Sequence, residues 1–299
     1  MITQIETGQG LVVSGLTKEY AGGVKALNGI DLSISSGMYG LLGPNGAGKS
    51  TLMRTLATLQ KPDSGTMMMD QVDILKQPNK HRQSLGYLPQ QLGAYPGVSA
   101  YNLLQRFVWL KGFTSVKEQQ FEVSRLLEKV NLEDAAHRPV STYSGGMLRR
   151  FGIALALIGS PRLVIVDEPT AGLDPQERNR FHRVLSEVAS NAVVLLSTHI
   201  VEDIENLCRE LAIIKQGRIV ASGSTAALIN QWQGKLWRKT IERGNPIPDN
   251  PLHLSASPDG TKVVIKADTP PSEQFLSHQP TLEDVYYLAL DNPTQESHP

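Results

Sequence analysis

Two short stretches of this 299-residue chain carry residue types whose spacing suits chemistry on phosphate groups. The first is Gly43-Pro44-Asn45-Gly46-Ala47-Gly48-Lys49-Ser50, followed by Thr51, and it has the form G-x-x-x-x-G-K-[ST]. Glycines let the backbone curl into a cradle of inward-facing N–H groups that side chains would obstruct. The helix that follows such a loop aims the positive end of its dipole at bound phosphate. Lys49 can reach β- and γ-phosphates as a movable charge, and the Ser50 hydroxyl can ligate Mg2+. The second stretch, Leu163-Val164-Ile165-Val166-Asp167-Glu168, is an apolar run ending in two carboxylates. At the C-terminal edge of an open α/β sheet such groups face the ligand crevice. There Asp167 would hold the Mg2+ hydration shell, and Glu168 would orient or deprotonate an attacking water. Together the two stretches predict a site that binds a nucleoside triphosphate and cleaves it.

The surrounding pattern supplies elements able to position these residues. Leu11–Val13, Ile30–Ile34 and Met38–Leu42 read as strands, the last running into the glycine loop. Leu52, Met53, Leu56 and Leu59 recur at helical spacing before Pro62 and Gly65, which predicts an amphipathic helix behind the loop. From Leu92 to Arg138 the pattern turns helical, with Tyr101, Leu104 and Val108, then Phe121, Val123, Leu126, Leu127 and Val130, as apolar faces. Gly145-Gly146 opens a further helix. Leu163–Val166 and Ala192–Leu196 read as strands buried on both faces of a parallel sheet. Ala212–Lys215 and Arg218–Ala221, joined by Gln216-Gly217, form a hairpin pattern. Beyond Gln231 prolines cluster between Pro246 and Pro280. Lys235–Ile241 and Lys262–Lys266 suit short strands, and Thr281 is placed to cap a helix over Thr281–Leu290.

Composition narrows the class. Lys plus Arg and Asp plus Glu both total 29, so the formal charge is zero, and no nucleic acid partner is expected. The one cysteine, Cys208, excludes an internal disulfide and suits a small apolar position on a helix in a reducing compartment. Met1–Gly10 lacks the features of a signal peptide. No window approaches the roughly 20 apolar residues of a spanning helix. A membrane role would then come through a partner.

Tyr143-Ser144-Gly145-Gly146-Met147 resembles the signature motif of ABC ATPases, usually written LSGGQ, and lies ahead of the acidic strand at the expected interval. The resemblance extends over most of Leu11 to about Gly223. It implies an α/β P-loop NTPase fold with a mixed central sheet, an antiparallel β subdomain and a helical subdomain inserted at about 92–140. The ATPase domain would span 1–230, with a small α+β accessory region over 231–299. By the same resemblance Tyr20 stacks on adenine, and Gln90, in Tyr87-Leu88-Pro89-Gln90, reaches Mg2+ and the lytic water. Asp174, in Ala171-Gly172-Leu173-Asp174, belongs to a loop that crosses to a partner subunit, and His199 contacts the γ-phosphate. Ser144, Gly145 and Gly146 would touch the phosphate held by the other subunit of a head-to-tail dimer, a homodimer being permitted. Two departures stand out: Tyr143 replaces Leu and Met147 replaces Gln. With Leu148-Arg149-Arg150 this variant is similar to the subfamily powering ABC-2 type exporters, as is the tail Thr281-Leu282-Glu283-Asp284-Val285-Tyr286. The resemblance implies a cytoplasmic subunit, peripheral at the inner face of the membrane, driving a separate transmembrane permease that would dock near Tyr95, Pro96, Tyr101 and Leu104. A soluble ABC ATPase acting in assembly or regulation is the competing class. The single cassette and the absence of a long heptad run disfavour relatives that act in translation or DNA repair.

Overall fold

The structure, a computed structural model, describes residues 10–93, 95–169 and 174–291. Strands β1 (Leu11–Tyr20) and β2 (Val24–Ile34) form a hairpin, and β3 (Gly37–Leu42) leads through the glycine loop into helix α1 (Lys49–Leu56). There follow β4 (Ser64–Met69), β5 (Val72–Asp73), α2 (Pro78–Gln83) and β6 (Leu85–Leu88). Helices α3 (Ala100–Leu110), α4 (Val116–Lys129) and α5 (Gly145–Ala156) come next, then β7 (Leu163–Asp167), α6 (Pro175–Ala189), β8 (Val193–Thr198) and α7 (Val201–Leu207). The hairpin β9 (Glu210–Lys215) and β10 (Arg218–Ser224) precedes α8 (Thr225–Asn230). The remainder holds β11 (Leu236–Ile241), β12 (His253–Ser257), β13 (Gly260–Lys266), β14 (Leu276–Ser277) and α9 (Leu282–Asp291).

The central sheet has the order β10-β9-β3-β8-β7-β6; β9, β3, β8, β7 and β6 run parallel and β10 is antiparallel. The apolar runs read from the sequence are its middle strands, and every residue of β7 and β8 is buried. Alternation explains why both runs must be apolar throughout. Val164, Val166, Val194 and Leu196 enter a core shared with α3, α4, α5 and α6. Leu163, Ile165, Val193 and Leu195 enter a second core with α1 and the antiparallel sheet β2-β1-β4-β5. Each such side chain contributes about 1.5–3 kcal/mol by leaving water, so a polar residue on either face would be costly.

Three local expectations are corrected. The helix behind the loop stops at Leu56, and Leu59 is 58% exposed instead of lying on the buried face. Thr58 takes a left-handed φ of 57°, and Leu59 N–H donates to the Arg54 carbonyl, so the chain doubles back before Pro62. Phe121 faces outward on α4, whereas Val123, Leu126, Leu127 and Val130 are buried. Cys208 is buried, but just past the end of α7.

Beyond residue 230 the strands order as β12-β13-β11-β14. Helix α9 ties that sheet to the rest of the chain: Leu288 packs with Leu236 and Val264 of the sheet, while contacts with α7, α8, β9 and β10 put Leu282, Val285 and Ala289 into the same core as the central sheet. Its start explains the Thr281-Leu282-Glu283-Asp284 sequence. Asp284 accepts from the Thr281 backbone N–H and hydroxyl, while its own N–H donates to Thr281 Oγ1, a reciprocal cap. Fully buried Asp284 also meets His253 Nε2 at 2.7 Å and His278 Nε2 at 2.9 Å. Burial works against its charge, but the hydrogen bonds from His253, Thr281 and His278 outweigh that and hold the carboxyl well below the usual carboxylate range. A depressed carboxylate stabilises the fold above its unfolded pKa of about 3.9 and loses that contribution as pH falls toward the folded value. Asp284→Ala is therefore expected to lower the unfolding free energy at pH 7 by about 2–3 kcal/mol, since it strands the buried His278, the partly buried His253 and a helix end. Urea denaturation measures this, and an unchanged midpoint would remove Asp284 from the role of anchor.

Candidate active site

Strand register brings the predicted residues to one sheet edge. Leu42 pairs with Thr198, Asp167 with Ser197 and Leu88 with Val166, so the C-terminal ends of β3, β8, β7 and β6 are level. From them emerge, in that order, the glycine loop, His199, Glu168 and the turn holding Gln90. A crevice outside the carboxyl ends of parallel strands is where an open α/β sheet binds ligand.

The loop needs its glycines for stated reasons. At Gly48 φ is +111°, and a Cβ there would lie 2.4 Å from the Ala26 carbonyl oxygen. At Gly43 a Cβ would lie 2.5 Å from the Ile214 carbonyl oxygen. The hairpin turn Gln216-Gly217 props the loop from below: Gly217 N–H donates to the Ala47 carbonyl at 2.8 Å. Sequence reading took that turn only as a turn, because nothing local ties it to a loop about 170 positions earlier. No side chain caps the N-terminus of α1, so its first N–H groups remain available to an anion.

Lys49 is only 5% exposed and lies inside the loop, its Nζ donating to the Gly43 carbonyl at 2.6 Å and the Pro44 carbonyl at 3.1 Å. Glu168 Oε1 is 3.9 Å away, close enough to attract the ammonium but not to bond it. Burial pulls the Lys49 pKa below the usual lysine value, with Glu168 and Asp167 opposing. Asp167 is 4% exposed, and burial pushes its carboxyl up, against the hydroxyls of Ser197 and Ser50 beside it. Its Oδ1 and the Ser197 hydroxyl oxygen are buried without a hydrogen-bond partner among the described residues. Ser197 is a site residue that sequence reading missed, since a serine at a strand end carries no signal of its own.

Glu168 is the strained member of the site. Its φ is +47°, unusual for a residue with a side chain, and its N–H is tied to the Ser197 carbonyl at 2.9 Å. That turn directs the carboxylate to His199, whose Nδ1 lies 2.8 Å from Oε2. Gln90 sits exposed in a bend two residues beyond β6, on the same edge. Tyr20, 41% exposed, closes β1; its hydroxyl bonds Gln60 and approaches Thr51.

The signature residues lie apart. Ser144 is the exposed N-cap of α5, its Oγ accepting from Met147 N–H at 3.2 Å, and Gly145 and Gly146 form the first turn. No hydrogen bond or ion pair of the described residues joins them to the chain's own glycine loop. The two departures have packing reasons. The Tyr143 ring meets Phe151 edge-on and its hydroxyl donates to the Ala135 carbonyl, while Met147 packs partly buried on the helical core. Asp174 caps α6 by accepting from Glu177 N–H, and Glu177 pairs with Arg150 of α5. Ala171, Gly172 and Leu173 lie outside the described residues.

An ammonium buried among loop carbonyls, beside an open helix N-terminus, is arranged to trade those carbonyls for phosphate oxygens. That trade is how P-loop nucleoside triphosphatases work, and this fold and site are of that class. Residues 27–171 match the ABC transporter family. The daunorubicin/doxorubicin resistance ATP-binding protein DrrA of Streptomyces peucetius is 36% identical over 87% of this chain and 78% of its own length. The linearmycin resistance ATP-binding protein LnrL of Bacillus subtilis is 36% identical over 70% of this chain and 67% of its own. Among solved structures, an ATP-binding subunit of an ABC transporter superposes with a TM-score of 0.67 at 27% identity, covering 74% of this chain and 92% of that one. The chain belongs to the ABC transporter family as an ATP-binding and ATP-hydrolysing subunit.

Proposed function

We propose that this subunit powers export across a membrane, working as a head-to-tail dimer coupled to a separate transmembrane permease. The observation that carries this reading is the split site. Ser144 to Gly146 present an exposed helix N-terminus, suited to phosphate, that the chain's own loop does not use. A second copy turned head to tail would place its loop there, and a homodimer would hold two ATP molecules. Likeness to the Nod factor export ATP-binding protein I of Ralstonia nicotianae, 39% identical over 73% of this chain and 68% of its own length, supports the direction. Among the described residues no helix is long and apolar enough to cross a membrane; in this reading the spanning part, and the contacts with cargo, belong to the permease, with this subunit at the membrane's inner face.

Within the site, the loop from Gly43 to Thr51 wraps the phosphates, Lys49 neutralises them and Tyr20 supports the base. The donor set fits Mg2+: the Ser50 hydroxyl and Asp167 Oδ1 are hard oxygens, the latter buried without a partner, and Gln90 adds an amide oxygen. When bound, that ion would supply charge neutralisation at the phosphates. Glu168 takes the proton of the attacking water, Gln90 orients that water, His199 contacts the γ-phosphate, and Asp174 links α6 to the other subunit. We read residues 1–230 as the ATPase unit and 231–299 as an accessory region anchored by α9.

The docking expectation needs one revision. Leu104 is fully buried and cannot meet a partner, whereas Pro96 is exposed and Tyr95 and Tyr101 are half-buried. Purification in mild detergent is expected to recover a polytopic membrane protein with the chain, and Tyr95→Ala with Pro96→Glu is expected to release it while the purified subunit still hydrolyses ATP. Recovery of soluble partners alone would favour a role in assembly or regulation.

A further inference from the structure

We propose that Gln60 is a positioning residue for the nucleotide base, fixing the Tyr20 ring at a set distance from the phosphate loop. The proposal rests on the reading of Tyr20 as the surface that stacks on the base, and it goes beyond that reading by naming what holds the surface in place.

Tyr20 has little else to hold it. It ends β1 at the tip of a hairpin turning through Gly22 and Gly23, both at positive φ, and its ring belongs to none of the apolar cores of the described residues. Its hydroxyl lies 2.9 Å from Gln60 Oε1 and 3.5 Å from Thr51 Oγ1. The Gln60 amide nitrogen lies 3.0 Å from the Thr51 carbonyl oxygen and 2.9 Å from Thr55 Oγ1. A carbonyl can only accept, so the amide NH2 must face Thr51 and the amide oxygen must face Tyr20. The tyrosine hydroxyl is therefore the donor, and the amide has one orientation that satisfies all three contacts.

Thr51 follows Ser50 directly on α1, so one side chain bridges the base platform to the helix that begins in the phosphate loop. The left-handed turn at Thr58 is what returns the chain to the flank of α1 and puts Gln60 there. Base and triphosphate are tethered through the ribose, so the base can stack only on a surface within reach of the bound phosphates, and a platform already held there avoids ordering an exposed tyrosine when the ligand arrives. Sequence reading could not find Gln60, since a glutamine after a helix end has no distinguishing pattern.

Titration calorimetry with ATP and with inorganic tripolyphosphate, on the full chain, separates this role from a general effect on α1. Gln60→Ala is expected to weaken ATP binding about three- to tenfold and leave tripolyphosphate binding unchanged, because tripolyphosphate has no base. KM for ATP should rise by a similar factor with kcat unchanged. Tyr20→Phe, which removes the hydroxyl, should make a further Gln60→Ala change nearly silent, the mark of a coupled pair. Equal weakening of both ligands, or additive losses in the double variant, would overturn the proposal. Tyr20→Ala distinguishes the underlying reading: if it leaves ATP affinity intact, Tyr20 is not the base platform and the proposal falls with it. If Tyr20→Ala weakens ATP while Gln60→Ala does not, the platform stands and only Gln60 loses its role.

Discussion

Glu168→Gln is expected to bind ATP as tightly as the unaltered chain and to hydrolyse it about 100- to 10,000-fold more slowly, the range set by loss of a positioned base. The geometry makes this substitution nearly silent elsewhere. Glutamine fills the same volume and keeps an oxygen for His199, which now lies 2.8 Å from Oε2. The left-handed backbone of Glu168 is held by its N–H bond to Ser197, which does not involve the side chain. What disappears is the carboxylate's capacity to accept a proton. If the site is completed by a second copy, ATP that is held but not cleaved should also trap the dimer, visible by size-exclusion chromatography with ATP present. Normal turnover in this variant would remove Glu168 from the role of base, and the proton would have to go to another group at the sheet edge.

How far the sequence revealed this site depended on whether a residue's neighbours in space were also its neighbours in the chain. The glycine loop was legible because every requirement is local: turn, cradle and following helix occupy Gly43 to Leu56. Asp167 and Glu168 were legible because a strand buried on both faces is apolar throughout and its first charges mark its end. The end of α1 was not legible, since Leu59 keeps the helical spacing and the left-handed Thr58 that breaks it is a residue seldom found in that conformation. Ser197, Gln60 and the Gln216-Gly217 turn escaped for another reason: each matters through one contact with a distant segment. Likewise the tail was legible as a helix capped at Thr281, but not the part of Asp284, whose histidine partners stand 31 and 6 positions away.

Lys49→Ala is expected to weaken ATP binding about 10- to 100-fold, as two or more charge-assisted hydrogen bonds to phosphate are lost. The loss should exceed what a surface lysine would cost, for reasons visible around Nζ. The ammonium is buried and bonded to the Gly43 and Pro44 carbonyls, and without it those oxygens would face incoming phosphate with their negative ends. Glu168 and Asp167 stand on the other side, and their charges, now partly balanced by Lys49, would repel the triphosphate across a poorly solvated gap. The same burial predicts a pH signature. Burial lowers the Lys49 pKa, so the free subunit's lysine gives up its proton earlier than an exposed one as pH rises, and ATP affinity should begin to fall at a correspondingly lower pH. Lys49→Ala, having no proton to lose there, should show a flatter profile. Calorimetric titration of ATP into both forms across the alkaline range tests the two statements together. Retained affinity at neutral pH would overturn the assignment of Lys49, and parallel pH profiles would place the titrating group elsewhere in the site.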